Sequence, residues 1–420
     1  MKGNNMGKAR QITSSIAKIK NRKTGRILVI TGARQVGKTT LVKNLLDDYT
    51  YLSIEDPVVR GSYTQLTSSQ WHTLYPKASL DEVQKAPVLI ESIKAAYDQY
   101  PDVRYVLLGS SQLLLLQKVR ESLAGRCTIF DMYPLTLPEL QTSNWSDNIQ
   151  ISLWQRLLKQ QTPDFFPSFL MDPRMAAKKA AWDYLLRFGG YPALVDEELT
   201  DQERYQWLHD YVRTYLERDI RDLASFRDLE PFVKLQHSFA LQTAHTLNAS
   251  TLSRDLGISA KTVQHYLEYL NISYQALTLP SWSRNQNKRL TKAPKVHLLD
   301  MGVLQAVLRK HGGLTGAEFE SAVVSELYKQ ARNILSNADF YHLRTLDGRE
   351  VDLLVELENG YFAFEIKMAS NISKTDARHL LKLEEFLDKP LLHAFVLSND
   401  NTTRRITDKI TAIHTAMFLG

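Results

Sequence analysis

Four short apolar runs set the rhythm of the first third of the chain: Ile27–Thr31, Tyr51–Ile54, Val103–Gly109 and Cys127–Tyr133. Each is too short for a helix, and amphipathic text with helical spacing separates them. Strand alternating with helix predicts a parallel sheet covered on both faces. Ahead of it, Ile12, Ile16 and Ile19 recur on one face of a helix over residues 11–22, and another helix runs through Leu41–Leu46. From about Trp145 the pattern turns helical through residues 150–235, with breaks at Pro163–Pro167, Pro173 and Gly189–Gly190. Residues 236–300 read as two or three short helices followed by an extended pair, 274–282 and 293–299. Beyond Gly312 a helix (Ala317–Leu335) precedes strands at Phe340–Arg344, Val351–Leu357 and Tyr361–Lys367, then a helix at Thr375–Leu387 and a strand at Leu391–Leu397. The expected division is 1–142, a nucleotide-type core with an N-terminal helix; 143–235, a helical lid; 236–311, a winged helix-turn-helix; and 312–420, a second α/β unit.

Length and composition agree with several globular domains: 420 residues, 44% hydrophobic and 23% charged. A lone cysteine, Cys127, excludes an intramolecular disulfide and favours a reducing compartment. No apolar run follows the basic start or approaches a membrane span, so a cytoplasmic protein without a membrane partner is expected. The net charge of +6 is concentrated. Residues 1–26 hold Lys2, Lys8, Arg10, Lys18, Lys20, Arg22, Lys23 and Arg26 with no acid. Residues 281–310 hold Arg284, Lys288, Arg289, Lys292, Lys295, Arg309 and Lys310 against Asp300 alone. Such segments suit a polyphosphate partner or, equally, a solvated surface.

The most specific chemistry lies at Gly32–Ala33–Arg34–Gln35–Val36–Gly37–Lys38–Thr39, a full G-x-x-x-x-G-K-[ST] phosphate loop between a strand and a helix. Two glycines let successive amides turn inward on phosphate oxygens, and the following helix adds its positive end. Lys38 then reaches the β- and γ-phosphates, Thr39 ligates Mg²⁺, and Thr40 continues the cradle; ATP with Mg²⁺ is the expected ligand. Asp81 is the candidate second metal residue and Glu82 the base for the attacking water. Pro76 and Lys77 interrupt the strand expected to carry them, which predicts a short or distorted strand and slow hydrolysis. Ser110 and Ser111 end the 103–109 strand and are read either as γ-phosphate sensors or as a helix N-cap. Arg126 precedes the next strand and is placed at a subunit edge, in reach of a neighbour's γ-phosphate.

The stretches Gly32–Thr40, Tyr51–Pro57 (YLSIEDP), Leu80–Lys85 (LDEVQK), Leu107–Ser111 (LLGSS), Glu121–Arg126 (ESLAGR) and Phe188–Leu194 (FGGYPAL) resemble a prokaryotic family of AAA-type ATPases fused to a C-terminal region of unknown function. The resemblance implies an AAA-type core, a helical lid, Arg126 as arginine finger and, with it, a homo-oligomer. Gly189–Gly190–Tyr191–Pro192 resembles the glycine–proline motif with which related signalling ATPases contact adenine, so Pro192 joins the nucleotide set. The competing reading is a helix C-cap with a proline stop.

Residues 250–267 have helix-turn-helix layout: a helix ending at Gly257, Ile258 plugging the turn, Ser259 capping the second helix, and Leu252, Leu256, Val263 and Leu267 inward. Lys261, Thr262, Gln264 and His265 stay outward, as in a major-groove reader. The basic loop between the extended pair, with Lys288 and Arg289, would serve as a wing, making nucleic acid, DNA above all, the expected partner.

In the last unit, Asp352 and Glu365–Ile366–Lys367 fall on neighbouring strands, where Asp352 and Glu365 can converge on a divalent metal and Ile366 lend its carbonyl. Lys367 lies on the face of Glu365, placed to steady developing charge or a water. Glu320 can complete the set. This resembles the restriction-endonuclease core, with cleavage or a degenerate binding core both open. Single histidines such as His72, His237 and His342 lack metal-ligand spacing. The expected fold class is thus α/β: a P-loop parallel sheet with helical lid, winged helix and restriction-endonuclease-like domain. The expected function is an ATPase that repositions a nuclease-like, nucleic-acid-binding half; a nucleotide-dependent scaffold and an ATP-gated helix-turn-helix regulator are the alternatives.

Overall fold

The computed structural model describes residues 7–19, 22–109, 119, 121–160, 172–216, 229–285, 287, 289, 292–345 and 348–420. The expectations placed on Ser110, Ser111, Lys288 and the break at Pro163–Pro167 lie outside the described residues.

The first sheet has five parallel strands, β1 (Ile27–Thr31), β2 (Thr50–Ser53), β3 (Lys77–Asp81), β4 (Arg104–Gly109) and β5 (Cys127–Asp131), in the order β2-β3-β4-β1-β5. Alternation sorts its side chains between two cores. Ile27 and Val29 of β1, Leu80 of β3 and Tyr105 and Leu107 of β4 meet Trp71, Leu89, Ile90 and Ile93 from the helices Ser68–Leu74 and Val88–Gln99. Leu28, Ile30, Val106, Leu108 and Phe130 point the other way, onto the Ile12–Ile19 helix and the rest of the molecule. The strand ending at Asp81 is short but regular: Ala78 to Leu80 pair in parallel register with both β2 and β4. Pro76 lies just outside it, its carbonyl accepting the Arg104 amide, and Lys77 is the exposed first residue, paired with Asp48 at 2.7 Å. The expected distortion is absent because both misfits sit at the rim, where a missing N–H or a charge is harmless.

Two helices occupy the span expected to hold a helix-turn-helix: Ala249–Leu256, then Gly257 in left-handed conformation (φ 66°), and Ala260–Ile272 capped by Ser259. Asn248 caps the first helix, and Leu252, Val263, Tyr266 and Leu270 are buried. The antiparallel hairpin that follows is β6 (Ala276–Leu279) with β7 (Lys295–Leu298).

The C-terminal sheet has six strands in the order β12-β13-β11-β10-β9-β8: β8 (Asp339–Arg344), β9 (Glu350–Leu357), β10 (Gly360–Lys367), β11 (Leu391–Ser398), β12 (Arg404–Thr407) and β13 (Ile410–His414). The Gly316–Asn333 helix and the Thr415–Leu419 helix cover one face. The helix expected over Thr375–Leu387 is replaced by two 3₁₀ turns, Lys374–Ala377 and Leu383–Glu385. Lys382 turns left-handed between them (φ 56°), and Arg349 Nη1 draws the His379 and Leu381 carbonyls to itself (2.9 and 2.6 Å). Those carbonyls are no longer free to accept helical bonds.

One continuous apolar core joins these parts. It holds the inner faces of both sheets (Leu28, Ile30 and Phe130; Leu353, Phe364 and Phe395) together with Trp154, Trp182, Tyr211, Leu252, Val263 and Leu304. Trp154, on the Leu153–Gln160 helix, stands edge-on to Phe362 and Phe364 and donates to the Leu327 carbonyl at 2.8 Å. The C-terminal unit is therefore bolted to the helical segment rather than hung from a linker.

Candidate functional site

All five parallel strands end on one side of the first sheet: Thr31 aligns with Gly109 and Asp131, and Ser53 with Asp81. In such sheets ligands settle off the carboxyl ends of the strands. The loop leaving β1 does so through Gly32 (φ 152°) and reaches the Lys38–Leu45 helix through Gln35 (φ 63°) and Gly37 (φ 96°). Gly32 tolerates no side chain, since a Cβ there would lie 2.2 Å from the Met132 carbonyl oxygen. A pocket of about 400 Å³ opens above, lined by Arg34, Gln35, Gly37, Lys38, Thr39, Thr40, Glu55, Asp81, Glu82 and Pro192.

The charged groups there hold one another in place. Lys38 Nζ hydrogen-bonds the Gly32 and Ala33 carbonyls, each at 2.8 Å, so the ammonium is folded onto the loop it would share with phosphate. Thr39 Oγ1 donates to Asp81 Oδ2 at 2.7 Å, and the Tyr51 hydroxyl donates to the same oxygen at 2.6 Å. Burial and the Asp81 hydrogen bond raise the Tyr51 hydroxyl far above the ordinary phenol range, so it remains a donor. Glu82 stands in left-handed conformation (φ 57°), its side chain accepting from Gln84 Nε2 at 2.5 Å. A hydroxyl and a carboxylate in contact at the foot of a glycine loop are the donor set a phosphate-bound Mg²⁺ takes, and the residues fit ATP with Mg²⁺.

Three further groups lock the loop, and no local pattern in the chain marks them. Arg10, from the basic N-terminal segment, is buried; it binds the Val36 carbonyl (2.9 Å), the Tyr133 carbonyl (2.5 Å) and Glu139 (3.3 Å). Tyr211, at the end of the Asp201–Tyr211 helix, donates to the Arg34 carbonyl at 3.1 Å and lies against Tyr191. Tyr274, left-handed at the foot of the helix-turn-helix, meets Thr31 Oγ1 at 2.7 Å and donates to Asp131 Oδ1 at 2.5 Å. The phosphate loop is thus in contact with the N-terminal and helical segments, and the end of the strand that leads into it with Tyr274.

Gly189 ends the Met175–Phe188 helix as a C-cap, and Pro192 lines the pocket. The tight fit explains both glycines. A Cβ on Gly190 would meet the Leu135 carbonyl oxygen at 2.2 Å, and one on Gly189 would meet Asp300 Oδ1 at 2.0 Å. Asp300 accepts the Gly190 amide (2.8 Å) and caps the Met301–Leu308 helix through the Val303 amide (3.1 Å).

Other expected residues fall elsewhere. Arg126 precedes β5 at the opposite end of the sheet from the phosphate loop and pairs with both Asp98 carboxylate oxygens (2.7 and 3.0 Å); it does not line its own chain's pocket. Lys261, Gln264 and His265 are on the exposed face of the Ala260–Ile272 helix, beside a shallow depression formed with Ser259, Thr262, Tyr266 and Tyr269. Among the described residues of the expected basic wing, two arginines have partners elsewhere. Arg289 pairs with Glu356 at 2.8 Å and stacks near Trp282 and Tyr341, and Arg284 binds the Glu385, Phe386 and Leu387 carbonyls. Arg289 is docked on the C-terminal sheet. In the N-terminal segment Arg26 is spent likewise, on the Tyr97, Tyr100 and Val103 carbonyls.

The C-terminal acids do come together, but around an ammonium. Lys295, at the start of β7 and 2% exposed, has its Nζ 2.6 Å from Glu320, 3.4 Å from Asp352 and 3.5 Å from Glu350. The other Asp352 oxygen accepts the Ile366 amide at 2.8 Å, so Ile366 offers its N–H here, and Glu365 pairs with Lys367 at 2.7 Å. Burial, then the Asp352 charge, pushes Glu365 up to about 7 and holds Glu320 well above the usual carboxylate range. Among the described residues no group of three or more His, Cys, Asp or Glu side chains could hold a metal ion, and the two oxygens of Asp352 face Lys295 and the Ile366 amide. The residues here do not fit a divalent cation.

Comparison with known proteins divides the chain. Residues 24–141 match the family profile described as AAA domain, 179–312 a domain of unknown function (DUF8612), and 315–418 another (DUF4143). An uncharacterized protein of Mycobacterium tuberculosis (strain ATCC 25618 / H37Rv) is 26% identical over 373 residues, covering 85% of this chain and 74% of its own; one of Mycobacterium bovis matches equally. Among known structures, the Walker-type ATPase of Pyrococcus abyssi aligns at 13% identity and TM-score 0.45, covering 72% of this chain and 99% of that one. A signal transduction ATPase with numerous domains from Pyrococcus horikoshii aligns at 12% identity and TM-score 0.26, covering 74% and 44%. Among the described residues no helix is long and apolar enough to cross a membrane. With the parallel sheet and the glycine loop in place, the profile match identifies residues 24–141 as a P-loop ATPase domain of the AAA type.

Proposed function

We propose that this chain binds ATP with Mg²⁺ in the pocket above Gly32–Thr39, hydrolyses it, and passes the change to a nucleic-acid-engaging half through the contacts at Thr31 and Arg34. The observation that carries the reading is the convergence of Lys38, Thr39, Asp81, Glu82 and Pro192 on one pocket. Lys38 would turn from the loop carbonyls to the β- and γ-phosphates. Thr39 and Asp81 would hold Mg²⁺, which supplies neutralisation of phosphate charge when bound. Glu82 would orient and deprotonate water, and Pro192 would border the base. Tyr211 touches the loop at Arg34 and Tyr274 touches the strand end at Thr31, so a shift of Arg34 would reach the first segment and a shift of Thr31 the second. The exposed Lys261, Gln264 and His265 are the surface for nucleic acid. In an assembly of several copies Arg126 would leave Asp98 for a neighbour's pocket.

Glu82→Gln tests the catalytic step. It should keep ATP binding within a few-fold and lower phosphate release by about 10²–10³-fold. Unchanged turnover would remove Glu82 from the mechanism. The second reading, a nucleotide-dependent scaffold with a degenerate nuclease-like sheet, is favoured by one observation: the ammonium of Lys295 amid the carboxylates.

A further inference from the structure

The carboxylate cluster of the C-terminal sheet has a cation of its own, and it comes from another segment. Lys295 leaves the first position of β7, in the helix-turn-helix hairpin, and reaches between the Gly316–Asn333 helix (Glu320) and β9 (Glu350 and Asp352). The side chain is 2% exposed and its charge is held, so that its pKa lies above the ordinary lysine value despite burial. Three carboxylates from two elements surround one Nζ, so an ion entering the cluster would have to displace the ammonium. Mg²⁺ demands oxygen contacts of about 2.0–2.1 Å, and no such ion fits beside an ammonium that already touches the same oxygens. Its backbone is fixed as well: Lys295 pairs with Leu279 across the hairpin and bridges Thr246.

We propose that Lys295 is a built-in competitor of the metal: while β7 is seated, its ammonium fills the cation position among Glu320, Glu350 and Asp352, and the cluster takes up one divalent ion only when Lys295 is withdrawn or removed. The C-terminal sheet is then latched, metal-free and incapable of metal-dependent phosphodiester cleavage, and the hairpin of the helix-turn-helix is the latch. This rests on the nuclease-like reading of the cluster and not on ATP hydrolysis. Nucleotide-free protein therefore separates the two, since Lys38 and Glu82 have no part in the measurement.

The probe is Mn²⁺, followed by loss of the free-ion electron paramagnetic resonance signal in the absence of nucleotide. Wild-type protein and Asp352→Asn should take up the same amount, meaning no Asp352-dependent site. Lys295→Met should gain one site per chain, and Lys295→Met combined with Asp352→Asn should lose it. Asp352-dependent uptake by the wild type would overturn the proposal, and so would a folded Lys295→Met protein that gains no site. Should Lys295→Met fail to fold, the comparison of wild type with Asp352→Asn still decides: equal uptake supports the latch and unequal uptake overturns it.

Discussion

At the scale of single residues, the pocket depends on positions where nothing larger than hydrogen fits. Gly190 has Leu135 N bonded to its carbonyl at 2.6 Å, and a Cβ would collide with the Leu135 carbonyl, a backbone atom that cannot swing away. Gly190→Ala should cost about 2–3 kcal/mol and displace Pro192 from the nucleotide pocket. Gly61, inside the Pro57–Thr64 helix, is the control, because an added Cβ there would have nothing within 4 Å of it. Gly61→Ala should leave stability unchanged or raise it by about 0.5–1 kcal/mol. Urea midpoints of the two variants measure both effects; equal shifts would refute the account of Gly190. Conformational need of this kind was partly legible, because the glycines stand in a recognisable string. The identity of what they approach was not, since Leu135 and Asp300 are 55 and 110 residues away from Gly190 and nothing local marks them.

At the scale of elements, the strand–loop–helix around Lys38 and the helix pair Ala249–Leu256 and Ala260–Ile272 were readable because each is encoded within about twenty residues: a glycine loop in one, and Gly257 with Ser259 in the other. The basic segments misled for the converse reason. Charge counts record which side chains are cationic and not which carboxylates and carbonyls meet them after folding. Arg10, Arg26, Arg284, Arg289 and Lys295 were available to a polyphosphate on paper, yet each has its partners inside the chain. The same distinction makes a test. If the Ala260–Ile272 helix contacts DNA, Lys261→Ala should reduce the slope of log K against log salt by about 0.9, the value for one phosphate contact. Arg289→Ala should leave the slope unaltered, because its guanidinium faces Glu356 and the aromatic rings. A large change of slope in Arg289→Ala with none in Lys261→Ala would place the nucleic-acid surface on the hairpin instead.

At the scale of the whole molecule, a common apolar core makes the C-terminal sheet part of one packed body with the P-loop sheet, and its acid sensitivity should be felt throughout. Burial holds His342, His393 and His414 at about 4, well below the 6.5 of a free imidazole. These rings are neutral in the fold, whereas in the unfolded chain they take up protons once pH falls below 6.5. The unfolded state then binds more protons, so stability is complete above that pH and is lost progressively down to about 4. At pH 5.5 the loss should be roughly 1 kcal/mol for each ring. Glu365, raised to about 7, and Glu320, held above the usual carboxylate range, act in the opposite sense, so the histidine part is read by difference: between pH 7 and 5 His393→Gln should lose less, or gain more, thermal midpoint than the wild type, and an identical pH dependence in the two proteins would contradict the burial of that ring. The shared packing also bears on function. Because Tyr211 bonds Arg34 in the loop and Tyr274 bonds Thr31 at the strand end, both from segments of one packed body, the proposed response to nucleotide would run through small shifts at those contacts, not through the swing of a free domain.

The claim on which all of this depends is occupancy of the pocket above Gly32–Thr39. Isothermal titration of the purified chain with ATP and Mg²⁺ tests it most directly, beside Lys38→Ala checked for an unchanged circular dichroism spectrum. The account predicts one site per chain in the wild type and at least a roughly tenfold weaker, or no measurable, site in Lys38→Ala. Equal affinity in the two proteins, or no heat of binding in the wild type, would contradict it.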